Sequence, residues 1–284
     1  MMLQNYETAT WKCDPLHEYR WLDIEGPLAD LAEAVWIFGE GSYPLSRQML
    51  VPHWKACIAI IRKWNEQKSE LLDVHVALLG PVSLPRWNNN GSSCEIIAVR
   101  LFPEVAPALL DVHPLEIVDQ DVIVPAPLAF ETALRVAKSG APAQKVATEL
   151  CKYLSRFPRA KMRNRPSVAH TAKWIRQSQG QARISDIAKL LDKPIRSLRR
   201  HFEDEIGISP KQYARHVRLM KLLLRADCSN APDWSALAQD FGYFDQAHLI
   251  QDVRSLTGQG VALLHQQRRN PRITDDYVIN VPNR

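Results

Sequence analysis

The chain has 284 residues, enough for two domains with cores of their own, and its 46% hydrophobic and 24% charged content is that of an ordinary soluble protein. No apolar run approaches the ~18 residues needed to cross a bilayer, and the opening MMLQNYETATWKC lacks the basic head and apolar stretch of a signal peptide; a cytoplasmic protein with no membrane partner is expected. The formal charge of +5 is unevenly placed: residues 1–157 hold 14 Lys+Arg against 19 Asp+Glu, while residues 158–284 hold 22 against 12, which marks the second half for nucleic acid.

Residues 1–27 carry Tyr6, Trp11, Tyr19 and Trp21 without a clear period and read as an irregular lead-in packed on the adjoining domain. From Leu28 to about Val124, short apolar runs alternate with Pro, Gly and Asn. They predict strands over 31–39, 56–64, 71–79 and 94–102, with turns at 41–44, 80–85 and 88–93. Several short strands at this spacing suggest a small barrel or sandwich.

This region offers little for catalysis. It has no G-x-S-x-G, no phosphate-binding glycine loop and no H-E-x-x-H, so no catalytic residues are expected. His53, His75 and His113 are its candidates for a metal triad, but they lack H-x-H spacing and a partnering Glu; neither metal nor cofactor is expected. Cys13, Cys57, Cys94, Cys151 and Cys228 are scattered and form no CxxC, which argues for free thiols. Candidate contacts to a small-molecule effector are Trp36, His53 and Trp54, on or beside the predicted strands, and Arg100, which would be costly to bury unpaired in an apolar strand. The alternative is that the tryptophans are core and that Arg100 pairs with a neighbouring strand.

Residues 128–138 and 143–157 switch to helical period and read as two amphipathic helices. The basic stretch 156–166, with two prolines, reads as a linker, giving an N-terminal domain over 1–157 and a C-terminal domain over 158–284.

A helix is expected from Ser167, with that residue as its cap and Trp174 in the core. Then one pattern occurs twice, as ISDIAKLLDKPIRSLRRHF (184–202) and LAQDFGYFDQAHLIQDV (237–253). Ile187 aligns with Leu237, Ala188 with Ala238, Asp192 with Gly242, Leu198 with Leu249 and Phe202 with Val253, with one extra residue in the second turn. These are two helix-turn-helix units, about 184–204 and 234–256. Ser185 is read as the first cap, and Pro194 suits a first helical turn. Ile195, Leu198 and Phe202 form a stripe to be buried; Arg196, Arg199 and Arg200 lie opposite, where guanidinium forks can meet guanine O6/N7 or phosphate. Ser209-Pro210 opens a connecting helix over 211–226, with Val217, Met220 and Leu224 inward and Arg215, Arg218, Lys221 and Arg225 available for phosphates. Asp233 and Asp245 are read as caps, Trp234 as core, and the polar tail from Gln266 as frayed.

The run Arg196-x-Leu198-x-Arg200-x-Phe202, EIGISPKQY (205–213), GYFDQAH (242–248) and SLTG (255–258) resembles the DNA-binding domain of the AraC/XylS transcription regulators, over about residues 167–265. The resemblance implies two units held by one rigid helix, with base-reading positions at Arg196, Arg199 and Arg200 in the first and at Gln246, Ala247, Ile250 and Gln251 in the second. The sequence departs from the family pattern at Asp192, Pro194, Gln251 and Gln259-Gly260, so the first unit is expected to carry most of the affinity and the second to add shape and weak polar contacts. A second resemblance, through VPHW (51–54), GPVSLP (80–85), AVRLFPEVAPALL (98–110) and DQDVIV (119–124), is to the cupin-like β-barrel of one AraC-type subgroup. There the departures are Pro52-His53-Trp54 and Phe102-Pro103-Glu104.

The chain is therefore expected to be α+β: a cupin-like β-barrel with helices 128–157 behind it, then an all-α double helix-turn-helix domain. The resemblance implies a regulator of promoter DNA, a homodimer through helices 128–157, and RNA polymerase as a partner if it activates. The helices could equally serve only to cover the barrel. The alternatives are a barrel enzyme or metal-binding cupin with an accessory DNA domain, and an effector-free scaffold.

Overall fold

The computed structural model describes residues 12–14, 19–39, 47–67, 69–88, 94–110, 112–124, 130–157, 165–268 and 278–281. Among them the N-terminal half is built on a seven-stranded antiparallel sheet and a three-stranded one. The large sheet takes β1 (Lys12–Asp14), β2 (Tyr19–Asp23), β3 (Ala32–Phe38), β5 (Ala56–Trp64), β6 (Leu71–Leu79), β8 (Cys94–Leu101) and β9 (Asp121–Val124), in the spatial order β1-β2-β3-β8-β5-β6-β9. The small sheet joins β4 (Arg47–Leu50) to β7 (Arg86–Asn88) and to β10 (Val278–Val281).

The strands predicted at 56–64 and 71–79 form over those residues, and those at 31–39 and 94–102 lie within a residue of theirs. Both central strands are apolar on both faces, as a sheet covered on two sides requires. Val35, Ile37, Ile58, Ile60, Ile97 and Val99 face one core, where α3 (Glu131–Lys138) and α4 (Ala143–Ser155) lay down Ala133, Ala137, Val146, Ala147, Leu150 and Leu154. Trp36, Ala59, Ile96 and Ala98 face a second, smaller cluster on the other side. The two helices therefore cover the sheet with their apolar faces. Arg62, buried in β5, meets Glu95 of β8 and donates to the Ala141 carbonyl at 2.6 Å, so the charge in that strand is paired rather than stranded.

Two expectations are corrected here. The lead-in is not irregular throughout, because β2 runs residue for residue along β3, Tyr19 opposite Phe38 to Asp23 opposite Ala34. Nor is all of the tail frayed: Val278–Val281 pairs antiparallel with β4. Two short helices that the sequence did not announce, α1 (Ala106–Leu110) and α2 (Pro114–Ile117), come after β8.

The C-terminal half is helical: α5 (Pro166–Gln177), α6 (Ile184–Leu190), α7 (Ile195–Ile206), α8 (Pro210–Asp227), α9 (Trp234–Asp240), α10 (Gln246–Thr257) and α11 (Val261–Arg268). Its core gathers Val168, Ile175, Leu198, Phe202, Tyr213, Val217, Met220, Leu249, Val253 and Leu264. The buried stripe of α7 is Leu198, Phe202 and Ile206; Ile195, expected inside, is 46% exposed because it lies one turn before the packed face begins. Trp174 is likewise 39% exposed, since α5 packs through Val168, Thr171, Ala172 and Ile175. Ser209, Asp233 and Asp245 cap their helices as expected, accepting from Gln212, from Ser235 and Ala236, and from His248. Ser167 and Ser185 do not: Arg165 and Arg183 occupy the N-cap positions without a side-chain bond, and Pro194 is itself the N-cap of α7. No helix among the described residues is long and apolar enough to cross a membrane.

Candidate nucleic-acid interface

Each helix-turn-helix unit is a seven-residue helix, a turn and a twelve-residue helix. The aligned turn residues Asp192 and Gly242 both take left-handed backbone, φ 49° and 69°, which is the conformation a reversal this tight needs. Both long helices end on a left-handed glycine, Gly207 or Gly258, whose N–H donates to the carbonyl four residues back at 2.9 Å. The repeat read from the sequence is therefore a repeat in backbone conformation, with the extra residue in the second turn.

On α7, Arg196, Arg199 and Arg200 are exposed on the side away from Leu198, Phe202 and Ile206. They line an open groove of about 820 Å³ together with Pro194, Ile195, Ser197 and Glu203. On α10, Gln246, Ala247, Ile250 and Gln251 are exposed opposite Leu249, Val253 and Leu256. The seven positions expected to read bases thus fall on the exposed faces of two equivalent helices.

Arg215 and Arg218, expected at phosphates, have partners within the protein. Arg215 of α8 binds Asp252 of α10 at 2.7–2.8 Å and Ser255 at 2.5 Å. Arg218 donates to the Gly180 carbonyl at 2.8 Å and lies 5.2 Å from the centre of the Tyr243 ring. Tyr243 in turn donates to Asp252 at 3.1 Å, and burial together with that carboxylate pushes its phenol well above the usual range. Both arginines tie α10 and its turn to the connecting helix, so their forks brace the second unit. Lys221 and Arg225 remain exposed.

Nor do the four residues considered for an effector line one site. Trp36 belongs to the small cluster on the second face of the large sheet. Trp54 is in the C-terminal core, with its ring 6.0 Å from that of Tyr213. His53 is partly buried beside it, its imidazole held well below its usual pKa by desolvation and by the neighbouring His216 of α8. Arg100 is buried in β8, where its charge bears on both His53 and Glu33. Burial raises the Glu33 carboxyl, but Lys55 at 2.8 Å outweighs it and leaves the group below its ordinary range, with Arg100 contributing. The three histidines are apart as well: His75 pairs with Asp73, and His113 caps α2. Among the described residues no cluster of His, Cys, Asp and Glu could hold a metal.

What the sequence did not show is a junction between the two cores. Arg176 of α5 binds both oxygens of Glu104 at 2.8 and 3.1 Å and donates to the Tyr213 hydroxyl at 2.8 Å, while its guanidinium lies 4.5 Å from the centre of the Phe102 ring. Burial would weaken the charged form of Arg176, but Tyr213 and Glu104 more than compensate and raise its pKa. A Cβ on Gly207 would stand 2.6 Å from the Val118 side chain, so α7 ends against the loop after α2. Trp54 and Glu104 are two of the positions at which the chain departs from the cupin-like pattern, and both serve this junction.

Comparison with protein-family models matches residues 187–262 to a helix-turn-helix domain. Among solved structures, the C-terminal domain of AraT, a response regulator from Geobacillus stearothermophilus, is 22% identical, with 40% of this chain and 93% of that chain covered and a TM-score of 0.34. ToxT from Vibrio cholerae O395 is 9% identical over 88% of this chain and 97% of its own, with a TM-score of 0.42; a further ToxT structure gives 7%, 88%, 98% and 0.44. Likenesses with TM-scores below 0.5 carry nothing over to this chain. A search of curated proteins found no match.

Proposed function

We propose that residues 187–262, which match a helix-turn-helix domain, are a DNA-binding domain of the AraC/XylS type, and that the chain is a sequence-specific transcription regulator that acts in the cytoplasm, without catalysis, on double-stranded promoter DNA. In this reading residues 158–284 bind DNA and residues 1–157 control that binding. The observation that carries it is the matched pair of reading helices. α7 and α10 have equal length, equivalent turns and equivalent glycine ends, both leave one face exposed, and the arginines of α8 brace α10. Two such helices suit successive major grooves, about 34 Å apart along the duplex.

Control would pass through the junction. Glu104, Trp54 and the loop after α2 touch α5, α8 and the end of α7 directly. A small-molecule effector or pairing of two chains through the N-terminal half would act by shifting these contacts, and RNA polymerase would be the partner of an activating form. The test is a salt titration of the full chain on promoter fragments flanking its own gene. One preferred site with a steep loss of affinity as salt rises is expected; binding indifferent to sequence would refute the reading.

A further inference from the structure

The two reading faces differ in chemistry although their backbones match. α7 presents Arg196, Arg199 and Arg200, with exposed Lys193 just before the helix and no acid on that face until Glu203. α10 presents Gln246, Ala247, Ile250 and Gln251, begins on the carboxylate of Asp245, and has no Lys or Arg before Arg254. At its entrance stands Phe244, 91% exposed, with its backbone N–H donating to His248 Nδ1 at 3.3 Å and the His248 ring set edge-on to Tyr243. The turn is thus tied from within while the phenyl ring is held out in solvent. Exposed large apolar side chains mark a contact surface where they gather, and Phe244 and Ile250 are exposed at the start of the helix that matches the cationic α7.

We propose that the two units read chemically different half-sites: α7 a guanine-bearing one through guanidinium forks, and α10 an A·T-rich one, with Phe244, Ala247 and Ile250 against thymine methyl groups and Gln246 and Gln251 on adenine edges. Arg pairs with guanine O6/N7, Gln with adenine N6/N7, and apolar side chains with the thymine C5-methyl. An uncharged face beginning on a carboxylate draws less from phosphate than three guanidiniums do, which leaves its side chains to the base edges. This rests on the DNA-reading function proposed above.

The full chain is used to select binding sites from randomised duplex. Thymine is then replaced by uracil, one half-site at a time, which removes the methyl and keeps every hydrogen-bonding edge. Loss of about fourfold per contacted methyl is expected in the second half-site, with little change in the first. Phe244→Ala opens no cavity, because the ring is solvated; it is expected to weaken the thymine site by a similar factor and to bring the thymine and uracil sites closer together. A second half-site rich in G·C, or one indifferent to uracil, would overturn this inference while leaving DNA reading intact. Phe244→Ala that changes the oligomeric state and not the base preference would overturn it too, making the patch a protein interface. A pool that yields no enriched sequence would overturn the DNA-reading function itself.

Discussion

Arg176 holds Glu104 with both arms of its guanidinium across the boundary between the two cores, and the hydroxyl of Tyr213 completes the clasp. Removing one partner of a largely buried pair leaves the other charge uncompensated, which costs far more than replacing both. Glu104→Ala is expected to destabilise the full chain by about 3 kcal/mol, and Glu104→Met with Arg176→Met by much less. Urea unfolding followed by tryptophan fluorescence separates the two outcomes, and equal losses would show that a stranded Arg176 carries no penalty.

His216 lies wholly buried in α8, and burial, with Arg215 nearby, pushes its pKa down to about 4. The unfolded imidazole titrates near 6.5, so between these values the unfolded chain takes up a proton that the native chain refuses. Stability therefore falls as pH drops through that window, by roughly 3 kcal/mol at its lower end. His53, shifted the same way, adds to the loss. His216→Phe should flatten the profile of urea midpoints between pH 7 and pH 4.5, and an unchanged slope would exonerate this residue.

The left-handed turn at Asp192 sets the angle between α6 and α7. Asp tolerates this conformation; a β-branched residue does not. Asp192→Val is expected to lower stability by about 1–2 kcal/mol, whereas Asp192→Gly, the residue found at the equivalent turn, should be close to neutral. Thermal unfolding of the two variants decides the matter.

Gly207 and Gly258 end their helices with the same backbone but different surroundings. A Cβ on Gly258 meets nothing within 4 Å, so Gly258→Ala should cost about 1 kcal/mol for the left-handed backbone alone. On Gly207 the same atom would press into Val118 and, at 2.9 Å, the Pro114 carbonyl. The excess loss in Gly207→Ala over Gly258→Ala measures how firmly α7 leans on the N-terminal half.

Arg199→Ala and Arg200→Ala should each weaken specific binding by about 1–3 kcal/mol if the fork meets a base, with relaxed preference there, or lower the salt slope by about one if it meets phosphate. Arg215→Ala should instead reduce stability, because its partners are Asp252 and Ser255. Measuring binding and unfolding on the same variants distinguishes reading from bracing.

The elements legible in the sequence are those whose cause is local. The strands at 56–64 and 71–79, the caps at Ser209, Asp233 and Asp245, and the one-residue offset between the repeats all arise from neighbouring residues. What escaped depends on distant partners. Glu104 meets Arg176 some 72 residues on, and the basic character of Arg215 and Arg218 suggested phosphate where folding supplies Asp252 and the Gly180 carbonyl. Ile195 and Trp174 are apolar residues whose helices turn them outward, which periodicity over a single turn does not resolve. Within the candidate site, the face of α7 is legible from its arginines, whereas Phe244, a lone aromatic in a turn, has no sequence pattern around it.

The pairing of β10 with β4 has a topological consequence. The chain leaves the N-terminal half after α4, builds the DNA-reading half, and returns to add a strand to the small sheet of the half it left. The reading half is therefore a loop anchored at two points, not a pendant on one tether. Cutting the chain between residues 157 and 165 would leave the halves held by the clasp and by the four-residue β10 on β4.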